Sequence, residues 1–403
     1  MPISSPQSDT PLQEILHPPE YRPRWLHFVL VFTEIVGRVP PLKLSPALLA
    51  MVAIACWPWE NLRVAAAALS LAFVFLDGVG LALLPKLDRS FGPITPPLLA
   101  LTLVRTSLTS CAGLLSGTPV ALYAVITVQL GISVLSLYAT WIEPFRIQVT
   151  REELRSPKLQ SSEFLRLLHI SDLHVEKTTA RERKVLELVD DLKPDVIVLT
   201  GDYLNLSSVR DPAAQTAARS FLADLCERAR SGYRSDVPVY AITGSPPVDL
   251  KGVVPEVFEG LPIDWLLDEV VDLDISDLNL SILGLGCTRE RERDASRLRE
   301  LLVGIPEERL VVLLYHTPDL MPEAVELGVD LYLCGHTHGG QIRLPLFGAV
   351  ITSSEFWKRY EMGRYDEGGT TLYVSRGLGM EGLGAPRARF LSPPEVIEWT
   401  LSG

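Results

Sequence analysis

The 403-residue chain is long enough for two or three domains, and its 47% hydrophobic content is high for a wholly soluble protein. The stretch up to Pro144 holds eight basic and eight acidic residues, so the whole net charge of −12 lies in the remainder, an acidic part that excludes nucleic acid as a main partner. Five scattered cysteines (Cys56, Cys111, Cys226, Cys287, Cys334) contain no CxxC, which speaks against a disulfide framework or a zinc ribbon and fits a reducing compartment.

Residues 1–43 read as a polar to amphipathic segment that includes His17 and His27, and the first 24 residues lack the apolar core of a cleavable signal peptide. Residues 44–143 read as a transmembrane bundle of three to four spans. VAAAALSLAFVFLDGVGLALL (64–84), LLALTLVRTSLTSCAGLL (98–115) and VALYAVITVQLGISVLSLYATWI (120–142) have the length and apolarity of bilayer spans, and PALLAMVAIACWPW (46–59) is a short fourth. Trp57, Trp59 and Trp141 fall at segment ends, where amphipathic rings favour the membrane interface. With four spans both ends lie on one side, together with Arg22, Arg24, Arg38, Lys43, Lys86, Arg89, Arg146, Arg151, Arg155 and Lys158, against Arg63 alone on the other. Basic residues favour the cytoplasmic side, so the expectation is a multi-pass protein of the cell membrane with its back domain in the cytoplasm. Asp77 and Arg105 lie inside spans, where a lone charge is costly; a structural ion pair, a snorkelling side chain and a polar functional site are all open readings.

A linker is expected over 144–160. From 161 onward short apolar strands alternate with helical patterns, the mark of an α/β domain. FLRLLHI runs into SDLH, DVIVLT into GD, VPVYAIT into GSPP, RLVVLLY into His316 and VDLYLC into GHTHGGQ. Repeatedly a buried strand ends in a polar side chain able to bind metal, at the sheet edge where α/β sites are built. Asp172 and His174 share a D-x-H, whose alternate residues point the same way, and the carboxylate of Asp202 follows a glycine that permits close approach. His316, His336 and His338 add three imidazoles; mixed imidazole and carboxylate donors suit Mn, Fe or Zn better than Ca or Mg. Four of the seven histidines occupy strand exits, whereas His169, flanked by Leu168 and Ile170, reads as a core histidine.

Taken in order, HISDLH (169–174), TGDYLN (200–205), YHTPDL (315–320) and CGHTHGGQIRLP (334–345) resemble the calcineurin-like metallophosphoesterase superfamily, in particular a bacterial branch with N-terminal transmembrane helices. YVSRGLGMEG (373–382) and PPEVIEWTL (393–401) are similar to the end of such domains, so the resemblance covers roughly 160–403. It implies a four-layer α/β sandwich preceded by the helical membrane bundle, with two divalent transition-metal ions (Mn, Fe or Zn) as cofactors. By position, one ion would take Asp172, His174, Asp202 and His338. The other would take Asp202, His316, His336 and an Asn from a G-N-H-[DE] motif. A hydroxide between the ions would attack phosphorus, and the motif's His would steady the phosphate or the leaving oxygen.

At the G-N-H-[DE] position stands Gly244-Ser245-Pro246-Pro247. Ser245 is a shorter and poorer metal donor than Asn, and Pro246 has no side-chain proton to offer, so the second site is expected to be weak or empty and no catalytic residue is assigned. Three explanations stand: a slowed hydrolase, a non-catalytic descendant that binds or senses a phosphorylated ligand, or compensation by Asp249, Arg289 or Arg376. A GxxxxGK[ST] phosphate loop and a G-x-S-x-G elbow are missing, GLGMEGLGA is a poor dinucleotide fingerprint, and ERERD (290–294) reads as a solvated helix face. The expected function is a membrane-anchored metal-dependent phosphoesterase acting on a phosphomonoester or phosphodiester, with a small phosphorylated or lipid-linked substrate.

Overall fold

The computed structural model describes residues 32–33, 35–159, 163–231, 236–275, 278–382 and 387–403; the expectations for the first 31 residues lie outside these. The chain divides into two compact units, one spanning 22–142 with 381–387 and the other holding 143–380 and 388–403.

In the first unit, four helices are described from Pro41 onward: α1 (Pro41–Cys56), α2 (Arg63–Leu83), α3 (Thr95–Leu115) and α4 (Pro119–Leu137). Three segments are long and apolar enough to cross a membrane: Pro41–Leu87, Thr95–Leu115 and Pro119–Phe145. The first bends at Glu60 (φ 46°) into α1 and α2, so the three-segment and four-helix readings describe the same chain. Large apolar residues such as Ile54, Phe75, Leu115 and Val120 stay exposed, the reverse of a soluble bundle and the pattern expected where lipid is the solvent. Trp59 departs from the expected interfacial role. It is fully buried, and its indole donates to the Thr109 carbonyl (3.0 Å) beside Gly113, where a Cβ would stand 2.6 Å from the ring nitrogen. Trp57 stays exposed under the Arg63 guanidinium. Arg105 and Asp77 form a bidentate ion pair (2.7 and 2.8 Å), and Arg105 also donates to Gln129 Oε1 (2.7 Å) and Ser133 Oγ (2.9 Å). The structural ion pair is therefore the reading the geometry supports.

The second unit is a four-layer sandwich. One six-stranded sheet runs in the order β1 (Gln148–Arg155), β14 (Glu395–Ser402), β2 (Phe164–Ile170), β3 (Val196–Leu199), β4 (Val239–Ala241), β5 (Asp264–Trp265). The other runs β12 (Gly363–Glu367), β13 (Thr370–Val374), β9 (Leu331–Cys334), β8 (Leu310–Leu314), β7 (Leu278–Gly284), β6 (Glu269–Ile275). Alternation along each strand divides the apolar residues between layers. Leu165, Leu167, Val196 and Val198 from the first sheet pack against Ile282, Val312, Leu331 and Leu333 from the second.

The alternate residues of the first sheet, including Leu168, Ile170, Ile197 and Leu199, pack outward on α5 (Ala180–Leu192), α6 (Pro212–Ser231) and α7 (Val254–Phe258). Those of the second sheet, including Val311, Leu313, Tyr332 and Cys334, pack on α8 (Arg291–Leu302) and α9 (Met321–Glu326). Strands buried on both faces read as continuous apolar runs, which is why β2, β3, β8 and β9 were legible. Residues 144–160 are not only a linker, because 148–155 form β1 and pair in parallel with β14. Its charged sequence QVTREELR gives no burial signal, and as an edge strand it needs none. ERERD opens α8, but Asp294 is buried and accepts from Tyr315 Oη (2.6 Å) and Thr288 Oγ1 (2.5 Å), so that face is only partly solvated.

Candidate metal centre

Strands β2, β3 and β4 run parallel in one sheet and β8 and β9 run parallel in the other, and the loops after all five carry the candidate ligand residues. Six side chains form two buried groups, Asp172 with His174 and His338, and Asp202 with His316 and His336. Within each group the donor atoms lie within 4.8 Å of one another. Asp202 Oδ2 stands 3.3 Å from His316 Nε2 and 3.7 Å from His174 Nε2, so one carboxylate faces both groups.

The loops reach this arrangement through unusual backbone. Asp172 (φ 50°), His174 (43°), Asp202 (56°), His336 (70°) and His338 (50°) all occupy the left-handed region, at a cost on the order of 1–3 kcal/mol each. Cross-loop hydrogen bonds hold them there: Asp172 N to Gly201 O (3.1 Å), His174 N to Asp202 O (2.9 Å) and His336 N to the Asp172 carboxylate (3.0 Å). Gly201 must be glycine, because a Cβ there would collide with the Gly244 backbone.

Ser245 enters the second group directly. Its hydroxyl lies 3.1 Å from His316 Nε2, 3.2 Å from His336 Nδ1 and 3.4 Å from Asp202 Oδ2, and its amide donates to Asp202 Oδ1 (2.6 Å). Asp249 lies beneath the same turn. Its carboxylate accepts from the amides of Asp202 (2.8 Å), Tyr203 (3.0 Å) and Gly244 (2.6 Å), clamping the two loops together. Arg376 is committed elsewhere, paired with Glu395. Arg289 donates to the Ser353 carbonyl (3.3 Å), and Ser353 Oγ donates to His336 O (3.2 Å), which places Arg289 one residue removed from the His336 loop.

Arg389 was not legible as a residue of this region. Buried, it donates to the carbonyls of Ser392 (2.9 Å), Arg376 (2.8 Å) and Gly379 and approaches His338 Nδ1 (3.3 Å). Ser392 Oγ donates to His338 O (2.7 Å). An arginine in the segment PRARF carries no local sign of this, since its partners are mostly backbone carbonyls brought near by folding.

Burial pushes the Asp172 carboxyl above its ordinary range. Burial acts the same way on Asp202, but the neighbouring His316 outweighs it and holds that carboxyl low. Burial alone would lower His316; the Asp202 carboxylate reverses this and raises it to about 9. Asp249 is raised to about 7 by burial and by Asp202.

The donor set fits divalent metal ions. His316 Nδ1 lies 2.8 Å from the Thr200 carbonyl and His174 Nδ1 lies 3.3 Å from that of Leu204, so in each ring Nδ1 carries a hydrogen and Nε2, once it holds no proton, is the nitrogen left to meet a metal ion. His174 Nε2 and His338 Nε2 are 3.0 Å apart, within hydrogen-bond distance and close enough to meet one ion together.

Residues 165–340 match the family model described as calcineurin-like phosphoesterase. The chain is 31% identical over 276 residues to the uncharacterized metallophosphoesterase YkuE of Bacillus subtilis, covering 66% of this chain and 88% of that protein. It is 28% identical over 334 residues to the UDP-2,3-diacylglucosamine pyrophosphatase LpxG of Chlamydia trachomatis, covering 69% and 96%. It is 27% identical over 249 residues to the phosphodiesterase YaeI of Escherichia coli, covering 60% and 85%. With two buried His and Asp groups at converging strand ends and this likeness along most of the relatives' length, the chain belongs to the calcineurin-like metallophosphoesterases.

Proposed function

We propose that this protein is a membrane-anchored phosphoesterase hydrolysing a phosphomonoester or phosphodiester, with Asp172, His174 and His338 holding one divalent ion and Asp202, His316, His336 and Ser245 the other. When bound, the ions supply an acidified water and positive charge at the phosphate. The chain's own part is positional: Asp202 faces both groups, Asp249 fixes its loop, and Thr200 and Leu204 set the tautomers of His316 and His174. The observation that carries the reading is the Ser245 hydroxyl, 3.1 to 3.4 Å from three donor atoms of the second group, where it completes that group with an oxygen.

Pro246 favours a second reading, a metal-binding module that binds or senses a phosphorylated ligand, because no side-chain proton is available there for the leaving oxygen. The test is Mn-dependent turnover of an aryl phosphodiester by the full chain, beside Asp202→Ala and the double variant Ser245→Asn/Pro246→His. Turnover that needs Asp202 supports the hydrolase. Silence in the native chain with turnover in the double variant supports the binding module. The relatives named as a UDP-2,3-diacylglucosamine pyrophosphatase and a phosphodiesterase, together with the apolar front, support a substrate at the bilayer surface. If α1 and α2 each cross, making four spans, the basic-residue distribution supports a cytoplasmic phosphoesterase domain; with three spans the basic residues divide nearly evenly.

A further inference from the structure

We infer that the hairpin following the loop of His336 and His338 is a bilayer-docking element, an inference that goes beyond the catalytic reading and does not depend on turnover. Strands β10 (Arg343–Leu344) and β11 (Gly348–Ala349) pair antiparallel around the tip 345–347. Large apolar side chains are exposed there: Leu344 at 49%, Leu346 at 109% and Phe347 at 55%, with Trp357 at 43% beside Lys358. The base is held firmly, since Arg343 donates to Gly339 O (2.9 Å) and pairs with Glu361 (2.8 Å), and Ala349 N donates to Glu361 (3.2 Å). Lys358 Nζ sits 3.7 Å from the Phe347 ring centroid and shares the same Glu361 (3.3 Å), so two cations face one carboxylate there.

An apolar apex above a cationic collar is the pattern of an interfacial anchor, the apex entering the acyl region and the cations meeting anionic headgroups. Two observations favour lipid as the occupant. The tip is a protruding knob, which a bilayer accepts in any shape while a protein partner needs a matching pocket. The chain also carries apolar membrane segments, and only a short stretch of chain separates the last of them, ending at Phe145, from β1 at Gln148.

The test uses the full chain in proteoliposomes of phosphatidylcholine and phosphatidylglycerol, with an environment-sensitive label at Leu346→Cys or, as control, at the exposed Val303→Cys, both in a Cys111→Ser background. Doxyl-labelled lipid should quench the label at 346 at least about threefold more than that at 303, and Lys358→Glu should reduce the difference when anionic lipid is present. Equal quenching at the two positions overturns the inference. Shielding of position 346 from iodide without quenching by lipid points to a protein partner or a second copy and overturns it as well. Leu346 is fully exposed, so its replacement leaves the fold intact, and failure here leaves the phosphoesterase reading standing.

Discussion

The Arg105 cluster of the bundle and the candidate metal centre are both buried and charged, yet they are closed in opposite ways. Arg105 donates to Asp77, Gln129 and Ser133, so the chain's own groups neutralise and satisfy one another. At the candidate metal centre two carboxylates and four imidazoles gather, in two buried groups, atoms that become acceptors once the rings give up their protons. A polar cluster satisfied from within is structural, whereas one made of converging acceptors calls for a cation from outside.

The largest effect should come from Asp202→Ala, which removes the carboxylate facing both groups. Turnover is expected to fall on the order of 10³-fold, with Mn binding by calorimetry weakened at both sites while the thermal unfolding of the bundle is unchanged. Breaking the other cluster should do the reverse. Arg105→Met leaves Asp77 buried without its partner and should cost about 3 kcal/mol in detergent unfolding with Mn affinity retained, and Asp77→Leu/Arg105→Leu should recover much of that loss.

The candidate metal centre should also respond to pH. Metal binding has to displace the proton on His316, which is raised to about 9, so apparent Mn affinity at the second group should rise about tenfold per pH unit below 9. In the metal-free protein the same raised value gives stability that is present below the unfolded value of about 6.5 and lost as pH rises through about 9. Calorimetry in buffers of differing ionisation enthalpy would read the proton release; its absence at pH 7 would refute the assignment. The smallest effect is expected from Ser245→Asn, which offers a longer-reaching oxygen and should tighten the second site by about tenfold, with Ser245→Ala weakening it by a similar factor.

The six side chains of the two groups were legible because each lies shortly after an apolar strand, and strand ends and motif spacing are local properties. The edge strands β1 and β6 were not legible, since half-exposed charged strands carry little apolar pattern. Arg389 escaped for a different reason, because its carbonyl partners come from loops that only folding brings together.

The apolar front, the acidic α/β back and the set of side chains able to bind metal follow from composition and periodicity, and so could be read along the chain without coordinates. Folding decided what the sequence left open or did not encode: Ser245, expected at the ligand position, stands among the donors of the second group, Asp249 clamps the Asp202 loop, and of the open readings for Asp77 and Arg105 the ion pair is the one formed. Those are distances between residues far apart in sequence, and the packing of sheets and helices sets them.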